Sequence, residues 1–444
     1  MIFQKPAFLP QNQDILGFFR DISINTVTAM KMSQIETLLA FCGMAFFMSP
    51  FPTEIVPSSL VSLYRYGVWG LSTLFVLIYH RRALFVARCD LFLWGVVALQ
   101  LLSFIWSINP AHSIDKGREV IQMATFSLFV ATRFNLKQQV EIIAASCVSC
   151  AVLSLLLGLA MPGVGIHGFD HPGAWKGIFD YKNTLGSYMV LGASTCYLIA
   201  IDREAPFKLA WLGAALCSVM TLLSTSKTAL VGMFLSLGVA YLTQKFRWRG
   251  RLAVILIDFG VVVATTLGGF ITVSWVRLLA GLGKDPTLTG RIPMWNVMIS
   301  YIQERPILGY GRAAFFGPGS PYPAIVGRAA SESFVVPHAH NGFIELALDV
   351  GLLGLGLFIV SFLIAYFRSV GRAFVHQNAG DLWPVVLFTL MLFNNITESF
   401  LLRMTSIYWV MFVTTALTLA KPQRQRQPEL LRSPTPPPTG APAL

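Results

Sequence analysis

The stretch Phe343–Tyr366, FIELALDVGLLGLGLFIVSFLIAY, carries only two charged residues, Glu345 and Asp349. An apolar run of about 20 residues matches a hydrocarbon core of about 30 Å, so this segment predicts a transmembrane helix. Directly before it stands Pro337-His338-Ala339-His340-Asn341-Gly342, a polar turn with two histidines. Such a pair suits a metal site, a pH switch, a general base or a plain loop closure. The choice depends on where the membrane lies.

The apolar pattern recurs along the whole chain. Of 444 residues, 55% are hydrophobic and 12% charged, about half the roughly 25% charge of a soluble domain. Twelve apolar runs lie near 35–50, 61–79, 90–106, 119–134, 140–161, 184–201, 208–225, 228–244, 252–275, 346–367, 383–400 and 405–420. They predict an all-α polytopic membrane protein with about twelve spans. A cytoplasmic segment covers 1–34, spans one to nine cover 35–275, one long loop covers 276–341, and spans ten to twelve cover 342–420. The first 30 residues lack an apolar core with a small-residue cleavage site, so the first span is expected to direct insertion. The proline-rich tail, 421–444, is expected to be disordered. All six cysteines, Cys147 and Cys150 among them, fall in or at the ends of apolar runs. They read as small buried hydrophobes, not as redox or zinc pairs.

The basic residues set the orientation. Short alternate loops carry Arg81, Arg82 and Arg88; Arg133 and Lys137; Arg203 and Lys208; Lys245, Arg247, Arg249 and Arg251; Arg368 and Arg372; and Lys421, Arg424 and Arg426. The positive-inside rule makes these loops cytoplasmic, with both termini on the same side. The net charge of +12 is thus spread over loop ends, and no nucleic-acid partner is expected. The long loop and its closing histidines then face outward.

Cations on that outer side need a reason. Lys116, Arg118, Lys176, Lys182, Lys227, Arg277, Lys284, Arg291, Arg305, Arg312 and Arg328 all fall there. Each alone fits a solvated loop charge; as a set they fit an anionic ligand, for which arginine supplies a fork and lysine a point charge. Lys227 sits in the polar break Ser224-Thr225-Ser226-Lys227-Thr228, and Lys182 directly precedes a helix, where backbone N–H groups favour anions. No acidic cluster for Mg²⁺, no zinc spacing and no phosphate-binding glycine loop occurs, so neither metal nor cofactor is expected.

Four stretches carry a family likeness: Gly173-Ala174-Trp175-Lys176-Gly177-Ile178-Phe179 with Lys182-Asn183; Ser224–Thr228; Gly290-Arg291-Ile292-Pro293-Met294-Trp295 continuing to Pro306-Ile307-Leu308-Gly309-Tyr310-Gly311; and His340-Asn341 followed, after nine intervening residues, by Gly351. In this order they resemble the O-antigen ligase and O-antigen polymerase family. Lys227 stands where that family commonly has arginine, which keeps the charge and loses the fork.

The resemblance implies a GT-C-like lipid-linked glycosyltransferase in the bacterial inner membrane. Its donor is an undecaprenyl-diphosphate-linked glycan, and transfer is metal-independent on the periplasmic face. A ligase takes a lipid A-core sugar as acceptor; a chain polymerase or a protein O-oligosaccharyltransferase takes another. A transporter or flippase ranks behind these, since no internal repeat is evident and the polar residues gather outside. His340 holds the signature position and is the expected general base, with His338 the second choice. The diphosphate is assigned first to Arg291, then to Lys227, Arg312 and Lys182. Trp175, Asn341 and Glu345 join the expected substrate-binding set, Asn341 also as helix cap. Glu345 and Asp349 follow Asn341 on one helix face, and Asn394, Asn395 and Glu398, beside Arg403, form a further polar patch for the same cavity.

Overall fold

A computed structural model describes residues 32–48, 55–169, 171–202, 207–245, 290–375, 378–401 and 406–422. The apolar run near 252–275, the tail and the side chains of Arg277, Lys284 and Arg403 lie outside this set. Helices account for the rest of the expected runs: α1 (Met32–Phe47), α2 (Ser58–Ile78), α3 (His80–Ala87), α4 (Leu91–Leu102), α5 (Pro110–Arg133), α6 (Leu136–Ala160), a short α7 (Pro162–Gly165), α8 (Lys182–Ala200), α9 (Ala210–Leu223) and α10 (Lys227–Lys245). After the gap follow α11 (Arg291–Glu304), α12 (Tyr322–Arg328), α13 (Gly342–Val375), α14 (Ala379–Thr397) and α15 (Ile407–Ala420). Among the described residues there is no β-strand, only an isolated bridge between Ile166 and Trp175.

By length and composition, α2, α6, α13 and α14 suffice to cross a membrane, and a fifth span arises if α3 and α4, bent by 97°, count together. The architecture is that of a helical membrane protein. Its centre is α15, buried on every side from Ile407 to Leu419. A helix apolar all round belongs inside a bundle, and α15 sits among α5, α13, α14 and α3.

Hydrogen bonds between helices fix the packing where apolar contact alone is unselective. Tyr408 of α15 shares its hydroxyl with Ser187 of α8 at 2.7 Å, and Asn394 of α14 donates to Tyr408 at 2.8 Å. Ser127 of α5 donates to the Val410 carbonyl at 3.2 Å. Cys147, Cys150, Cys196 and Cys217 are buried free thiols, in keeping with the apolar reading.

The described part of the long loop, 290–341, is itself folded. Met294, Met298, Ile302, Tyr310, Phe315, Val326 and Val336 form a separate core with Ala347 and Leu348 of α13. Tyr301, Tyr310, Phe315 and Tyr322 meet ring to ring within it, Phe315 stacking on Tyr322 at 4.7 Å.

The loop and α13 are joined by a break in the helix. Val350 (φ −131°) and Gly351 (φ 69°, ψ −174°) leave helical geometry inside α13, although the sequence there reads as one continuous run. The loop segment 306–311 supplies the missing bonds. Tyr310 N–H donates to the Leu348 carbonyl (2.7 Å) and Gly311 N–H to that of Asp349 (2.9 Å); Leu352 N–H donates to the Pro306 carbonyl (2.7 Å). A Cβ on Gly351 would lie 2.1 Å from the Ile307 carbonyl oxygen, so both the dihedral and the close approach require glycine. Two motifs far apart in sequence, Pro306–Gly311 and the glycine that follows His340-Asn341 after nine intervening residues, are thus one structural unit.

A candidate active site where helix starts converge

The residues before α13 adopt a tight polar turn. Asn341 caps the helix as expected, its side-chain oxygen accepting from Phe343 N–H (3.0 Å) and Ile344 N–H (3.1 Å). Its own N–H donates to Ser399 Oγ at 3.2 Å. His340 takes a left-handed conformation, φ 50°, uncommon for a residue with a Cβ. Glu345 accepts from Ala339 N–H at 3.2 Å, and Trp295 Nε1 donates to the Ala339 carbonyl at 2.8 Å. Ala339 lies between the two histidines, so Glu345 and Trp295 hold the backbone that presents them.

Glu398, just past α14, is the hub. Its Oε2 lies 3.2 Å from His340 Nδ1; its Oε1 accepts from Arg291 at 3.0 Å and from Asn183 Nδ2 at 3.2 Å. Burial alone would raise the Glu398 pKa, but the His340 hydrogen bond and the Arg291 charge outweigh it and hold the carboxyl below its usual range. An ionised carboxylate only accepts. Nδ1 of His340 therefore carries the proton in the neutral ring, and Nε2 is left with a free lone pair.

His338 is arranged differently. It is 8% exposed, its Nδ1 accepts from His340 N–H at 3.2 Å, and the two rings lie 4.0 Å apart. With Nδ1 accepting, the neutral ring carries its proton on Nε2.

The cations come from helix starts. Lys182, Lys227 and Arg291 are the first residues of α8, α10 and α11, positions where the dipole and the unpaired N–H groups favour anions. Asn183, next to Lys182, ties the start of α8 to Glu398. Burial and the nearby charge of Lys227 both push the Lys182 pKa down. The charges of Lys182 and Lys227 thus act on one another.

Two further expected residues hold partners of their own. Arg312 is 2% exposed and pairs with Asp349 at 2.8 Å, while Ala313 N–H donates to the same carboxylate at 2.9 Å. This pair sits beside the break in α13, and its partner there is a carboxylate of the chain itself. Trp175 packs its ring against α6, where a Cβ on Gly158 would lie 2.2 Å from it. Glu345 and Asp349 do share the helix face, but each faces its own partner.

His338, His340 and Glu398 also place three ligand atoms within 4.8 Å of one another, a grouping that motif spacing did not disclose. The donor set suits a metal poorly. Both Glu398 oxygens and His338 Nδ1 already hold hydrogen bonds, and Arg291 stands against the same carboxylate. The arrangement is matched to holding and moving a proton.

A helical membrane protein with a histidine–carboxylate–arginine cluster and further lysines at helix starts is the class that fold and site define. Residues 212–359 match the profile described as O-antigen ligase. Over 386 residues, 82% of this chain and 84% of the relative, the sequence is 26% identical to the exopolysaccharide production protein ExoQ of Rhizobium meliloti. A 79-residue stretch, 18% of this chain and 20% of the relative, is 32% identical to a putative polysaccharide ligase of Rickettsia prowazekii. These similarities support an O-antigen ligase-like family for this chain, as the sequence motifs implied. The profile match includes Lys227, Arg291, His338 and His340 but neither Lys182 nor Glu398.

Proposed function

We propose that this chain is an O-antigen ligase of the bacterial inner membrane. It moves a glycan from undecaprenyl diphosphate to a lipid A-core sugar on the periplasmic face. In this reading all twelve apolar runs cross the bilayer in a GT-C-like arrangement, with both termini cytoplasmic and residues 276–341 outside. The observation that carries it is Glu398 holding His340 and Arg291 on its two oxygens, one partner fit for base catalysis and the other for an anion.

The acceptor hydroxyl gives its proton to His340 Nε2 as its oxygen attacks the anomeric carbon. The bond from that carbon to the diphosphate oxygen breaks, and the diphosphate leaves with the electron pair. Arg291, Lys227 and Lys182, with the helix starts they occupy, neutralise that charge without a metal. Glu398 keeps His340 in the tautomer that accepts, and steadies the imidazolium once formed. The Nε2 proton of His338 ranks it behind His340 as a base. Arg312 braces the broken helix through Asp349, and Trp175 shapes the segment leading to Lys182. Asn341 and Glu345 act on substrate through the turn they hold.

A second reading, chain polymerisation, is favoured by the likeness to an exopolysaccharide production protein along most of the chain. Expression in a ligase-deficient strain separates the two. Polymer appearing on lipid A-core supports ligation, whereas longer glycans left on the lipid carrier support polymerisation. No change in either, with the protein present in the membrane, overturns both.

A further inference from the structure

We propose that the end of the bundle remote from His340 binds the headgroup of an anionic phospholipid, through Arg82, Arg88, Arg368 and Lys421. Its Arg368 lies about 25 Å of helix beyond the break at Gly351, at 1.5 Å per residue. The proposal rests on the chain being a membrane protein and is independent of which glycan it transfers.

The site is built at the corner between α3 and α4. Because α3 is bent 97° from α4, it lies across the end of the bundle. Ala83 and Val86 pack inward, while Arg81, Arg82, Leu84 and Phe85 are exposed, a mixture suited to the zone where acyl chains meet headgroups. Asp90, the cap of α4, accepts from Ser361 of α13 at 2.7 Å. Arg368 lies seven residues further on α13, almost two turns, so its side chain emerges on the same face. Lys421 follows α15, which contacts α3, and its ammonium donates to the Ala131 carbonyl of α5.

The electrostatics agree with this convergence. Burial and the charge of Arg82 push Lys421 down to about 8. Burial raises the Cys89 thiol while Arg368 and Lys421 pull against it. Residues from three separate parts of the chain thus act on one another.

Of the other cations at this end, Arg133 pairs with Glu36, Lys137 with Asp202 and Arg372 with Asp381, while Lys208 and Lys245 stand exposed on their own helix ends. Among the described residues no carboxylate pairs with Arg81, Arg82, Arg88, Arg368 or Lys421. Asp90 is committed to Leu93 N–H and Ser361. Charge bias in loops orients a membrane protein wherever those charges fall. It does not require distant residues to meet at one corner around a partly buried lysine. A lipid phosphate supplies the missing anion, and the exposed Leu84 and Phe85 lie beside its chains.

The test is native mass spectrometry of the purified full-length protein titrated with cardiolipin, phosphatidylglycerol or phosphatidylcholine. The acidic lipids should be retained about tenfold better than phosphatidylcholine, and R82Q/R88Q/R368Q should lose that preference. R82K/R88K/R368K should keep most of it, and Lys208→Gln, an exposed lysine at the same end, should change nothing. If the glutamine triple does not fold, Arg368→Gln alone carries the test, with about a threefold loss expected. Equal retention by wild type and the glutamine variants overturns the proposal. So does displacement of bound lipid by inorganic phosphate, which would mark a free-anion site.

Discussion

His340 presents its Nδ1 to Glu398 Oε2 at 3.2 Å, so the reactive nitrogen of the ring is chosen by a residue 58 positions further along the chain. Glu398→Gln keeps the shape and removes the charge that selects this tautomer. Transfer should fall about 10–100-fold, the usual cost of losing a partner that orients a functional imidazole. His340→Ala should cost more, about 10²–10⁴-fold. Measured on purified protein, wild-type rates with an unchanged pH profile in Glu398→Gln would remove Glu398 from the mechanism.

The lowered pKa of Glu398 has a signed consequence for stability. A carboxylate depressed on folding contributes stability that is complete above its unfolded value and is lost as pH falls through the folded one. Melting temperatures of wild type and Glu398→Gln should therefore differ by a constant amount from neutrality down to about pH 5, and converge in stronger acid. A gap that closes already between pH 7 and 6 would assign it to another group.

Arg291 shares the Glu398 carboxylate with the proposed proton acceptor. Arg291→Ala should reduce transfer about 10²–10³-fold if the guanidinium meets charge that develops as the diphosphate leaves. Arg291→Lys should recover part of this, since the charge remains and the fork is lost. Activity near wild type in Arg291→Ala contradicts the assignment.

Burial first, and then the charge of Lys227, lower the Lys182 pKa, so the two lysines repel one another. The cost is present while both are charged and fades only as pH rises through the lowered value. At neutral pH, Lys227→Met should raise the melting temperature of the free protein while weakening donor binding, the trade expected where function is built on strain. A variant that loses both stability and binding would show that Lys227 serves the fold.

Gly351 combines a dihedral that only glycine adopts readily with a carbonyl oxygen in the space of a Cβ. Gly351→Ala should destabilise by at least about 1–3 kcal/mol, seen as a lower melting temperature and reduced yield from membranes. Gly356, where a Cβ meets nothing within 4 Å, provides the control, and Gly356→Ala should be tolerated.

Much of this was legible in the sequence because membrane proteins advertise their spans. Each expected run within the described residues falls on a helix; Lys182 and Lys227 could be singled out as charges at the starts of such runs, and Arg291 as a loop cation in its motif. Partnership was not legible. Glu398 stood in a noted polar patch, but no spacing rule joins it to His340 or Arg291. Arg312 looked like its neighbours in the loop, because sequence position does not reveal a buried carboxylate facing it. The break in α13 was invisible for a similar reason: Leu-Asp-Val-Gly-Leu-Leu scans as uninterrupted helix when the strand of loop that completes it lies forty residues upstream. The bend between α3 and α4 was hidden inside loop chemistry.

That upstream position bears on how the protein is made. Segment 306–311 leaves the ribosome before α13 does, so the partner for the unpaired groups at Leu348, Asp349 and Leu352 already exists when the helix arrives. Backbone groups left open in hydrocarbon are costly, and here the earlier segment acts as a template for the later one. Insertions between 306 and 311 should for that reason impair biogenesis itself, while the finished protein treats the same residues as a settled seam.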